Sequence, residues 1–154
     1  MDISIFDNQT DIPLGHPAID ELVALVVEGE AQHVDEVAVH FVTKEASGVL
    51  HDRYFQDPSP TDCMSFPMDG PLEQPRVLGE VFVCPQVARE FVLAGGTLPL
   101  DEEIALYIIH GLLHLFGYDD IEEQDVARMR QQEHLYLDRW RTKGRSVVSE
   151  GAPA

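Results

Sequence analysis

The sequence predicts an α+β domain in which about five helices cover a small mixed sheet of four strands, one of them a helix buried at the centre. Three observations carry this. Segments of period two and segments of helical period both occur, but they do not follow one another as regular strand–helix–strand units. Residues 104–116 are apolar almost all round, as in a helix without a solvent face. The 154 residues, 44% of them hydrophobic, suffice for one core and not for two, so residues 1–145 are expected as a single domain and 146–154 as a disordered tail.

Asp2 to Phe6 sets Ile3 and Ile5 against Asp2 and Ser4, the alternation of a short strand. Pro17 suits a first helical position, and Ile19, Leu22, Val23, Val26 and Val27 recur at helical spacing, so residues 17–32 are expected as an amphipathic helix. Glu36 to Thr43 reads as a second strand, and Lys44 to Tyr54 as a short helix ended by Asp57-Pro-Ser-Pro60. Two more strands, Asp62 to Phe66 and Leu78 to Cys84, flank a surface loop over 68–75. Pro85 to Ala94 is a helix stopped by Gly95 and Gly96. Asp101 is expected to cap the apolar helix, with Glu102 and Glu103 favourable at its positive end. The last helix, Ile121 to Arg141, places Val126, Met129, Leu137 and Trp140 near one face, a core pattern. Cys63 and Cys84 fall in expected strands without C-x-x-C spacing and read as reduced core residues.

The N-terminus has no charged n-region or long apolar run, and no apolar stretch reaches the roughly 20 residues of a membrane helix. A cytoplasmic protein is expected, with neither a membrane nor a dinucleotide cofactor as partner. The net charge of −18 opposes nucleic-acid binding if it is spread evenly. It is not. No Lys or Arg precedes Lys44, whereas Arg128, Arg130, Arg139, Arg141, Lys143 and Arg145 face only Glu133 and Asp138 between 128 and 145. That basic segment is either an RNA-facing surface or a solvated helix face.

His110 and His114 lie four residues apart in the apolar helix, hence on one face, and a turn at Gly117 can bring Asp119 or Asp120 back towards them. Buried imidazoles need a partner, and two histidines with a carboxylate outline a three-ligand metal site with an open position. Zinc heads the candidates, while two imidazoles and a carboxylate also suit iron or manganese. A zinc protease of the H-E-x-x-H kind has Glu after its first His; Gly111 stands there, so peptide hydrolysis by that route is disfavoured.

The run His110-Gly-Leu-Leu-His114-Leu-Phe-Gly117-Tyr118-Asp119 resembles the H-G-x-L-H-L-x-G-Y-D-H signature of the YbeY family of bacterial rRNA maturation endoribonucleases. Pro60-Thr61-Asp62-Cys-Met-Ser65-Phe66-Pro67 resembles that family's P-T-D-V-L-S-F-P, and Leu78-Gly79-Glu80-Val-Phe-Val83 its L-G-D-I-V-I. The resemblance covers roughly residues 35 to 140 and keeps the family's motif order. It implies a single-strand-specific, metal-dependent endoribonuclease acting at the 3′ end of small-subunit rRNA and in ribosome quality control, with rRNA and the small subunit as partners. One divalent metal per chain, zinc first, is implied at His110, His114 and Asp120, with Asp119 as rival third ligand.

Three positions depart from the family. Asp120 stands where its third histidine falls. His51 and Phe55 stand where it has an asparagine and, four residues on, an arginine serving the phosphate. Arg53 is a substitute only if its helix face permits, because two positions rotate a side chain away. Ser65 is a weak candidate for a catalytic hydroxyl against the simpler role of a satisfied strand serine. Glu133 is a weak candidate general base against a solvated surface position. The rival functions are a noncatalytic ribosome-associated module with a structural metal, and a metal-dependent hydrolase of another class.

Overall fold

The computed structural model describes residues 1–149. In chain order the elements are β1 (Asp2–Asp7), α1 (His16–Glu30), β2 (Glu36–Phe41), α2 (Lys44–Phe55), β3 (Cys63–Pro67), β4 (Val77–Val83), α3 (Pro85–Leu93), α4 (Leu100–Leu115) and α5 (Glu123–Arg141). The sheet order is β1-β2-β4-β3. β1 and β2, and β2 and β4, run parallel, while β3 returns antiparallel to β4. This is the mixed four-stranded sheet with five helices that the sequence predicts.

Boundaries differ where a capping residue looks like a strand end. Thr43 is not the last residue of β2 but the N-cap of α2, its Oγ1 accepting from Ala46 N at 3.1 Å. Cys84 also lies outside β4, at the N-cap position of α3, without a side-chain cap hydrogen bond. Pro99, not Asp101, occupies the N-cap of α4; Asp101 lies in the first turn with Glu102 and Glu103, where carboxylates favour the positive end without capping it. Both cysteines are free thiols, as expected.

Alternation places Val37, Val39, Phe41, Val81 and Val83 on the covered face of the sheet, all fully or nearly fully buried. Helix α4 packs across this face beside β3 and β4, with α1, α3 and α5 around it. Ile104, Ile108, Ile109, Leu112 and Leu113 lie at zero exposure, so the nearly continuous apolar run is explained by a helix enclosed except along the stripe of Leu106, His110 and His114. The approach to the sheet is closest at Gly111, where a Cβ would stand 2.5 Å from Val81 Cγ1 and 2.9 Å from Cys63 Sγ. In β4 the pairing slips between Glu36↔Val77 and Ala38↔Glu80, a bulge that Gly79 accommodates at φ +146°.

Part of the expected tail is placed. Val147 is fully buried, and Val148 bridges to Leu14. Residues 150–154 lie outside the described residues. No helix among the described residues is long and apolar enough to cross a membrane.

Candidate metal centre

Helix α4 ends in a Schellman turn: Gly117, at φ +99°, donates its N–H to His114 O at 3.0 Å, and Tyr118 donates to Leu113 O at 3.0 Å. The reversal carries the chain back over the last turn of the helix. Two consequences follow for the histidines. The Tyr118 carbonyl accepts from His114 Nδ1 at 2.9 Å, and Asp120 Oδ2 comes within 3.5 Å of both His110 Nε2 and His114 Nε2. Asp119 is spent differently, its Oδ1 accepting the Asp120 N–H at 2.8 Å. Of the two rival carboxylates, Asp120 is the one brought to the imidazoles.

The other ring is held from α5. Glu133 Oε2 lies 3.2 Å from His110 Nδ1, with only 14% of the Glu133 side chain exposed. Glu133 is therefore not the solvated residue of the simpler sequence reading. A signal for this existed: Met129, Glu133, Leu137 and Trp140 follow helical spacing, and a carboxylate within an apolar stripe requires a partner. Carbonyl and carboxylate oxygens only accept, so both Nδ1 atoms donate and, in the neutral rings, both Nε2 atoms present lone pairs.

Those two Nε2 atoms are 3.0 Å apart, with Asp120 Oδ2 completing the triangle. Three acceptors facing one point repel unless something positive lies between them. A proton on one ring relieves a single pair, whereas a cation serves all three. Burial pulls the His110 imidazole down, but the Glu133 hydrogen bond and the carboxylates of Glu133, Asp120 and Asp62 outweigh it and leave it raised above the usual histidine range. The edges of 3.0 to 3.5 Å match the roughly 3.3 Å edge of a tetrahedron with bonds of ~2.0 Å, the geometry of zinc with nitrogen and oxygen ligands. His110, His114 and Asp120 form a group able to hold a metal ion, and the donor set fits one.

The three open into a cleft of about 460 Å³ walled by Phe55, Asp62, Cys63, Met64, Ser65 and Pro67. Ser65 donates its hydroxyl to Gly111 O at 2.8 Å, tying β3 to α4, so its proton is committed to positioning. Arg53 does not line the cleft; its guanidinium lies over the Tyr54 ring, 6.0 Å from the centroid. Phe55 takes the place on the wall, and among the described residues no Lys or Arg lines it.

Comparison with known proteins decides the family. The model of the family described as Endoribonuclease YbeY matches residues 4–141. The chain belongs to the YbeY family. It is 45% identical over 136 residues to the Endoribonuclease YbeY of Protochlamydia amoebophila, covering 88% of this chain and 90% of that one. It is 39% identical over 137 residues to that of Chlamydia trachomatis serovar D, covering 88% and 85%. The solution structure of TM1509 from Thermotoga maritima shares the fold, with a TM-score of 0.65 and 24% identity over 99% of this chain and 100% of that one.

Around the candidate ligands lies an outer set that the sequence did not disclose. Gln132 donates to the Tyr118 hydroxyl at 3.2 Å, Arg128 stacks over the Tyr118 ring at 5.2 Å, and Tyr136 donates to Glu30 at the end of α1. Helix α5 thus supports both histidines, one through Glu133 and the other through the anchorage of Tyr118.

Proposed function

We propose that this chain is a metal-dependent endoribonuclease cutting single-stranded RNA during rRNA maturation, at the 3′ end of small-subunit rRNA, with one divalent cation, zinc first, held by His110, His114 and Asp120. The observation that carries it is the convergence of two Nε2 atoms and one carboxylate oxygen in a chain of this family. RNA cleavage is supported by the names of the relatives; the ribosomal step, a part in ribosome quality control, contact with the small subunit and a cytoplasmic setting extend that likeness.

When bound, the cation supplies Lewis acidity, which polarises a phosphate oxygen and acidifies water. The protein supplies orientation. Glu133 and the Tyr118 carbonyl fix the tautomers so that both Nε2 lone pairs face the ligand position. Phe55, Met64 and Pro67 give the cleft an apolar wall on which an unpaired base can lie, while a duplex, its bases already stacked, cannot use it. The Asp62 carboxylate lies on the same wall, and Ser65 keeps that wall at fixed distance from α4.

The absence of Lys and Arg from the cleft lining favours a second reading, a noncatalytic ribosome-associated module with a structural metal. The two part on one experiment. Metal content of wild type, His114→Ala and Asp120→Ala is measured by elemental analysis with folding checked by circular dichroism, and each protein is then given a small-subunit rRNA precursor. About one metal per wild-type chain, lost in both folded variants together with cleavage, is the expected result. Metal-loaded wild type that leaves the precursor intact would establish the module.

A further inference from the structure

The candidate ligands do not border one cavity only. His110 and Asp120 also wall a second space of about 230 Å³, on the α5 side, completed by Val126, Met129, Arg130 and Glu133. Arg130 is exposed, and no ion-pair partner within 4.0 Å is found for it among the described residues.

Six of the other nine Lys and Arg residues are engaged elsewhere. Lys44, Arg141 and Arg145 pair with Glu90, Glu102 and Glu21. Arg76 is buried, donating to Gln32 and the His33 carbonyl just beyond α1. Arg128 and Arg139 lie over tyrosine rings. Among the described residues, no other Lys or Arg stands on the wall of either of these cavities.

We infer that Arg130 binds a backbone phosphate of the RNA from the α5 side of the metal position, in the absence of an arginine from the α2 side, where Phe55 stands. The inference rests on the nuclease reading given above. A guanidinium presents paired donors that match two phosphate oxygens, and it stays charged at any working pH. Its position beside Asp120 and Glu133 disfavours it as a general anion trap, because those carboxylates repel a free anion. A strand with one phosphate drawn to a cation between His110, His114 and Asp120 can present a phosphate to Arg130 on the adjoining wall, so the two positive groups act on one strand. The apolar wall at Phe55 and the cation at Arg130 then border different cavities that share His110 and Asp120, one suited to a base and the other to the backbone.

The test uses zinc-loaded protein and a short labelled 2′-O-methyl RNA, its integrity checked on a gel, with affinity followed by fluorescence anisotropy over a salt series. Arg130→Ala is expected to keep the wild-type metal content, to bind about tenfold more weakly at low salt and to lower the slope of log affinity against log salt by about 0.7, the share of one phosphate on a single strand. Arg130→Lys should restore the slope and part of the affinity, and Arg53→Ala should change neither. Wild-type affinity and slope in Arg130→Ala, loss of its metal, or an Arg53→Ala variant that shows the loss instead, each overturns the assignment while leaving the nuclease reading in place. A wild type that holds zinc and binds no RNA overturns both.

Discussion

Glu133 on α5 and His110 on α4 meet at 3.2 Å between Oε2 and Nδ1, in a pocket where the carboxylate is mostly hidden from water. A helix whose apolar face reads as core also holds the ring that points at the ligand position. Glu133→Ala should weaken zinc binding by about 10–100-fold, the usual effect of removing a residue that orients a ligating histidine. Competition with a chromophoric chelator measures it, and Glu133→Gln, which can still accept from Nδ1, should fall between. Equal affinities in all three proteins would mean that the contact orients nothing.

Asp120 and Asp119 are adjacent but differently engaged, one 3.5 Å from both Nε2 atoms and the other closing a turn on its neighbour's N–H. Asp120→Ala is expected to abolish stoichiometric metal, whereas Asp119→Ala should retain it with at most a small loss of thermal stability. Elemental analysis of the two variants decides, and the reverse pattern would reassign the third ligand.

Gly111→Ala would ordinarily favour a helix by about 1 kcal/mol. Here the added methyl meets Val81 and Cys63 at 2.5 and 2.9 Å, and α4 would have to lift from the sheet. Overpacking of this kind costs roughly 1–3 kcal/mol, so a net destabilisation is expected from urea midpoints. A variant as stable as wild type would show that the helix can shift freely.

Asp35 accepts the Arg76 backbone N–H at 2.7 Å, and that bond, with His33 beside it, holds its carboxyl below the usual carboxylate range. A lowered folded pKa contributes stability that is present in full above the unfolded value near ~3.9 and is lost as pH falls through the folded one. Asp35→Asn should therefore lose stability relative to wild type at pH 6 and lose progressively less below about pH 4. Urea midpoints across that range check the convergence; a constant difference would assign the effect to packing.

The elements and the candidate ligands were legible because they are local. The all-round apolar run named α4, and spacing of four with a glycine stop named His110, His114 and a returning aspartate. What stayed illegible depends on distant partners. Helical spacing showed that Glu133 needs a partner, but which partner it meets, and where Arg130 stands, follow only from the packing of α5 on α4. Arg53 could be doubted from helix rotation alone, but that Phe55 replaces it on the cleft wall needed the fold. The N-cap positions of Thr43 and Cys84 were missed for a different reason, because extended backbone before a helix looks like the end of a strand; Pro99 was passed over because Asp101 offers a capping side chain and proline does not.

The turn at Gly144 and the bridge between Leu14 and Val148 separate the unit that folds from the unit that is recognisable. The match to the family model ends at residue 141, yet Gly15 donates its N–H to Val147 O at 2.8 Å and Ser149 donates to Pro13 O at 3.0 Å, clasping the start of α1. A fragment trimmed to the recognisable stretch would leave the seat of Val147 open to water, a loss of roughly 1.5–3 kcal/mol for one such side chain. Anyone cutting this domain for expression should keep the clasp.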